Sequence, residues 1–195
     1  MMKHLKYLKY VLTHKWWVLV GCWELGVPLL GLLHDLSKFG WAEWPAYAEN
    51  FFGDKKKGYT NARSTSTIHR DTEKPSAFTL AWHHHRSVNK HHWGYWVNFH
   101  RDLSLYAMPM PDKYVREMVA DWWGAGKAQG KDDLWDYWMK EGGSMLLHPE
   151  TRYRVRRYII KLAGCYYDKY GEFEPVINPY DWREQKDTVE KNTVS

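Results

Sequence analysis

An imidazole and a carboxylate stand side by side at His34-Asp35, followed by Leu36-Ser37-Lys38, at the end of an apolar stretch. Burying an Asp is costly unless it is paired or bound to a metal. A neighbouring His and Asp can both reach one cation, the His through nitrogen and the Asp through oxygen, and an Asp can bridge two cations with its two oxygens. Three further features share this chemistry. His14 lies twenty residues upstream on an apolar helical face, and Asp121 lies downstream beside Met118 and Trp122. Between them runs Trp82-His83-His84-His85-Arg86-Ser87-Val88-Asn89-Lys90-His91-His92-Trp93, with five histidines in ten residues. If that run is helical, His84 and His91 are nearly eclipsed, and His92 diverges from His84 by about 80°, within reach of a shared site. Imidazole with carboxylate suits Fe, Mn, Co, Ni or Zn rather than Ca. Spacing alone leaves open which of His83, His84, His85, His91 and His92 are ligands.

The elements that must position these residues are helical. Leu5, Leu8, Leu12, Trp16 and Leu19 form one stripe over residues 5–20, and Tyr7, Tyr10, Val11, Trp17 and Val18 form a second, with His14 inside it. A helix apolar on two sides is expected to be central and buried. Pro28 opens a helix to about Ser37, and a third covers Trp41 to Phe52. Helical pattern resumes at Ser76 and reaches about Phe99, with a break allowed. Further helices are expected over 112–124 (Val115, Met118, Val119 and Trp122 inward), 132–140, and from Pro149 to near Gly171. No alternating pattern is long enough to predict a strand. Trp16, Trp17, Trp44, Trp82, Trp93, Trp122 and Trp123 lie on apolar stripes and are expected to fill the core. Arg152, Arg154, Arg156, Arg157, Lys161 and Lys169 read as a solvated face of the last helix.

Composition bounds the rest. The chain has 195 residues, 44% of them hydrophobic, enough for one sizeable core. Two cysteines, Cys22 and Cys165, exclude a disulfide scaffold and a Cys-rich zinc module, and suit a reducing cytoplasm. A net charge of +5 fits an anionic small molecule and falls short of a nucleic-acid footprint. The apolar stretch Trp16–Leu33 is interrupted by Gly21, Glu24, Gly26 and Pro28, so a helix–turn–helix is expected there, with no membrane span or signal peptide. Residues 53–75 form a long polar loop without apolar periodicity, and 172–195 read as a docked segment and a frayed tail. The expectation is therefore one all-α domain over 1–171, with seven to eight helices.

The order His14, His34-Asp35, His84, His91/His92, Asp121 resembles the HD-domain superfamily of metal-dependent phosphohydrolases, and also an uncharacterised HD-like family of phages and bacteria. His34-Asp35-Leu36-Ser37-Lys38 looks like the stretch that gives the superfamily its name, and the resemblance covers roughly residues 5–125. It implies an HD-type helical fold and a role for each matching position. His14, His34, Asp35 and Asp121 would hold a first divalent transition metal, with Asp35 as the bridging, catalytic carboxylate. His84 with His91 or His92 would hold a second, as in the dinuclear branches. Lys38, the second catalytic residue, would meet the substrate phosphate, and Arg86 and Asn89 are further substrate contacts. The implied activity is hydrolysis of a nucleotide or other small phosphate ester by a metal-activated water. An HD-type di-iron oxygenase is the alternative, and a non-catalytic module binding a nucleotide or a protein is the third reading. The oligomeric state stays open.

Overall fold

The computed structural model describes residues 2–53 and 75–163. The expectations for the loop 53–75, the last helix beyond 163 and the segment 172–195 lie outside these residues, apart from the loop's two end residues. The described chain is all-α. Its helices are α1 (Met2–Glu24), α2 (Pro28–Leu33), α3 (Trp44–Phe52), α4 (Ala77–Val88), α5 (Asp112–Ala128), α6 (Leu134–Glu141) and α7 (Pro149–Ala163). Short 3₁₀ turns occupy Leu36–Phe39, Trp93–Trp96 and Gly142–Ser144.

A short hairpin begins within the expected helix over 76–99. β1 (Val97–Phe99) pairs antiparallel with β2 (Leu105–Ala107), Asn98 opposite Tyr106. At three residues each, they are too short for alternation to show in the sequence. α4 itself is capped by Ser76, whose Oγ accepts from the Thr79 amide at 3.0 Å. It stops at Asn89, whose extended backbone (φ −101°, ψ 111°) ends the helical run between His85 and His91.

α1 is the central element and packs against α5, α2 and α3, while α5 also packs against α7. Its contact with α5 is close because two glycines meet it. A Cβ on Gly124 would lie 2.7 Å from Val18 Cγ2 and 2.9 Å from the Val18 nitrogen, and one on Gly21 would lie 3.1 Å from the Ala120 Cβ. The larger core gathers Val18, Cys22, Leu25, Val115, Met118, Val119, Trp135, Trp138, Val155 and Ile159. A smaller one joins Tyr7, Val11, Tyr47, Ala48, Phe78 and Ala81.

Only one of the two α1 stripes is buried. Tyr7, Val11, His14 and Val18 face inward, whereas Leu5, Leu12 and Trp16 are exposed. The neighbours α5, α2 and α3 do not cover that outer face. Of the tryptophans expected in the core, Trp16 and Trp82 are exposed and the other five are partly buried, and it is Trp135 and Trp138 that sit inside. The basic face of α7 is partly tied down. Arg152 donates to the carbonyls of Gly142 and Met145, and Arg154 pairs with Glu150.

α1 ends in a Schellman turn. Val27 N donates to Cys22 O at 2.8 Å and Gly26 N to Trp23 O at 3.0 Å, with Gly26 at φ +78°. Pro28 then starts α2. α2 is short, ending at Leu33, so His34 and Asp35 lie just past it rather than within it. Among the described residues, no helix is long and apolar enough to cross a membrane.

Candidate metal centre

Asp35 sits where the chain leaves α2, with φ 53° and ψ 32°. This left-handed conformation is uncommon for a residue with a Cβ, though Asp tolerates it better than most, and such strain clusters at functional sites. It turns the carboxylate inward, where it is almost wholly buried. Lys15 of α1 fixes the approach by donating to the carbonyls of Leu32 (3.2 Å) and His34 (2.5 Å), which the end of α2 leaves unpaired.

Two nests of donors share this carboxylate. On one side stand His14 of α1, His34, and Asp121 of α5. His34 Nε2 lies 3.2 Å from Asp35 Oδ2 and 3.3 Å from Asp121 Oδ1, and His14 Nε2 lies 3.0 Å from Asp121 Oδ1. On the other side stand His85 of α4, His91 and His92. Here the facing atom is Asp35 Oδ1, 3.4 Å from His85 Nε2 and 3.3 Å from His91 Nε2. Within each nest the donor atoms all lie within 4.8 Å of one another. Each oxygen of Asp35 therefore serves a different nest.

Each nest has the donor set to hold a metal ion. The buried Nε2 atoms of His14, His34, His91 and His92, and Asp35 Oδ1, make no aligned hydrogen bond among the described residues. Buried polar atoms are normally satisfied, and these five face the two nests. Five imidazoles with two carboxylates suit Fe, Mn, Co, Ni or Zn.

Buried carboxylates behind the rings set their tautomers. Glu117 Oε1 stands 3.1 Å from His34 Nδ1 and 3.2 Å from His91 Nδ1. Glu43 Oε2 stands 2.8 Å from His85 Nδ1, and its Oε1 2.9 Å from His84 Nδ1. A proton held on Nδ1 leaves Nε2 as the donor toward the nest. Sequence reasoning missed both glutamates. Glu117 lies four residues before Asp121 on α5, a spacing that puts the two on one face. Glu43 has no such signal.

Electrostatics follow the same arrangement. Burial disfavours charge on His34, but Asp35, Asp121 and Glu117 outweigh it and hold its pKa well above the usual imidazole value. Burial likewise opposes ionisation of Asp35, and His34, Lys38 and His85 overcome it, so its carboxyl stays well below the usual range. Asp121 is held down in the same way, by His14 and His34 against its burial. His92, buried and beside His91 and His85, is pushed well down and stays neutral.

The expected ligands His14, His34, Asp35, His91, His92 and Asp121 are thus brought together, and one is replaced. His84 is 45% exposed at its side chain and belongs to neither nest. Phe78, Ala81 and His85 form the buried face of α4, and His84 is turned about 100° from it. The eclipsing of His84 with His91 fails because the helix ends at Val88. Lys38 does reach the site, with Nζ 2.5 Å from Asp35 Oδ2 and the ammonium over the Tyr47 ring. Asn89 is a brace: its Nδ2 donates to Ser37 Oγ at 2.9 Å and to the His85 carbonyl at 2.9 Å. Arg86 points elsewhere. It stacks on Trp82 and lines a cavity of about 330 Å³ with His83, Ser87, Gly94 and Tyr95, none of them a nest donor.

Residues 3–161 match the family of unknown function DUF5662, and the chain belongs to that family. No curated protein matches the chain, and no solved structure does.

Proposed function

We propose that this protein is a metal-dependent phosphohydrolase of HD type, acting on a nucleotide or another small phosphate ester in the cytoplasm. The observation that carries the reading is the single carboxylate of Asp35, buried and shared through its two oxygens by two histidine nests. His14, His34, Asp35 and Asp121 would hold one ion, and Asp35, His85, His91 and His92 the other. Bound ions would supply Lewis acidity toward phosphoryl oxygens and lower the pKa of water.

The chain's own residues do the rest. Glu117 and Glu43 orient three of the five imidazoles. Asp35, held ionised by its surroundings, fixes the spacing between the nests. Lys38 is held as a cation by Asp35 and Asp121 despite its burial, and it brings positive charge to the phosphate. Hydrolysis joins a water oxygen to phosphorus and breaks the ester P–O bond, and the leaving oxygen takes a proton.

Phosphate release from a panel of nucleotides and simple phosphomonoesters tests the proposal, with protein reconstituted with Mn, Fe, Co or Zn under nitrogen. Metal-dependent release, lost in Asp35→Ala, is expected. The excess of imidazole over carboxylate favours a di-iron oxygenase as the second reading. Turnover that needs both iron and oxygen, with no anaerobic release, would replace the first reading with that one. Ligand binding without any metal requirement would support the non-catalytic module.

A further inference from the structure

The outer face of α1 is unpartnered among the described elements and largely apolar, with the exposed Lys9 at its edge. Leu5 (60% exposed), Leu12 (53%), Trp16 (60%) and Trp23 (68%) point the same way, opposite the buried face that carries His14. At 100° per residue their directions agree to within about 20°, along about 27 Å of helix. α2 packs beside it, with Gly31 close against Leu19 and Cys22. At about 200 Å² per large side chain, these four residues offer roughly 500 Å² per copy, or about 1,000 Å² in all, the lower end of a specific interface.

We infer that this face binds a second copy of the chain, with the two α1 helices packed antiparallel about a two-fold axis. The spacing of the residues is self-complementary. An axis crossing α1 at the level of His14 sets Leu5 opposite Trp23 of the second copy and Leu12 opposite its Trp16, so that each indole meets a leucine. The charges agree with the same register. Lys6 and Glu24 are both exposed, and neither has an ion-pair partner among the described residues. They are eighteen residues apart, five full turns, and so lie on one flank of the stripe. A two-fold of this kind keeps each flank on its own side and brings Lys6 of one copy to Glu24 of the other, twice per dimer. A parallel two-fold would instead put this flank on opposite sides of the pair in the two copies and offer no such contact. The inference does not depend on the chemistry of the metal centre.

Sedimentation equilibrium of the full chain tests it. A dimer is expected, and Trp16→Glu should yield a monomer with unchanged helical circular dichroism. Lys6→Glu or Glu24→Lys alone should weaken the dimer by at least about tenfold, since each change acts at two symmetric places. The double variant Lys6→Glu/Glu24→Lys should restore it, which decides the matter even if Trp16→Glu fails to fold. Three results would overturn the inference. These are a wild-type monomer at high concentration, a dimer indifferent to the charge changes, and a monomer whose α1 face binds vesicles of anionic lipid.

Discussion

Glu117 is the residue on which both nests lean. One of its carboxylate oxygens faces the Nδ1 atoms of His34 and His91, one imidazole from each nest. Replacing it with Gln removes the charge that holds both Nδ1 protons in place. Loss of such a support costs about 10–100-fold in metal affinity, so Glu117→Gln should weaken both ions. Glu43→Gln should weaken only the nest that contains His85. Competitive titration followed by Co²⁺ absorption measures this, and a loss confined to one ion in Glu117→Gln would contradict it. The candidate ligands were largely legible in the sequence, because His14 and Asp121 are isolated polar residues on apolar helices and His34-Asp35 directly follows an apolar one. The choice of His85 over His84 was not. It depends on which face of α4 is buried and on a helix end at Asn89, and neither follows from the spacing of five clustered histidines. Glu117 and Glu43 were hidden by the frequency of glutamate in any surface helix.

At the scale of elements, the crossing of α1 and α5 sets the distance between His14 and Asp121. Gly124 makes that approach possible, since even a methyl group there would collide with the backbone and side chain of Val18. Gly124→Ala is expected to push the helices apart and cost roughly 1–3 kcal/mol of stability. Because His14 and Asp121 would separate too, metal affinity should fall along with the denaturation midpoint. A variant that loses stability but keeps full metal affinity would show that the crossing does not position the site. Helix order and most helix starts could be read from apolar periodicity, the helix ends less well. The exposed outer stripe of α1 could not, since periodicity records that a face is apolar and not what covers it. The short hairpin after α4 escaped for want of length.

For the whole molecule, the buried charges tie stability to pH and to metal. His34 has its pKa raised in the folded, metal-free chain. It therefore adds stability that is complete below the unfolded value of about 6.5 and is lost as pH rises through the folded one. Asp35 and Asp121 act oppositely, adding stability above about pH 4 that is lost as pH falls through their lowered values. A metal held by His34 would have to displace its proton, so binding should release protons and tighten with pH. The rise in melting temperature on adding Mn or Zn should therefore be larger at about pH 8 than at about pH 6, against about 2.7 kcal/mol for an ion at a hundred times its Kd. An equal or smaller rise at the higher pH would mean that His34 is not a ligand. The most direct test of the account is the metal content of protein purified without chelator, with Asp35→Ala alongside. About two transition-metal ions per chain, both lost when the shared carboxylate is removed, is the expected result. Full metal content in Asp35→Ala, or no metal bound even after reconstitution with Mn, Fe, Co or Zn, would contradict it.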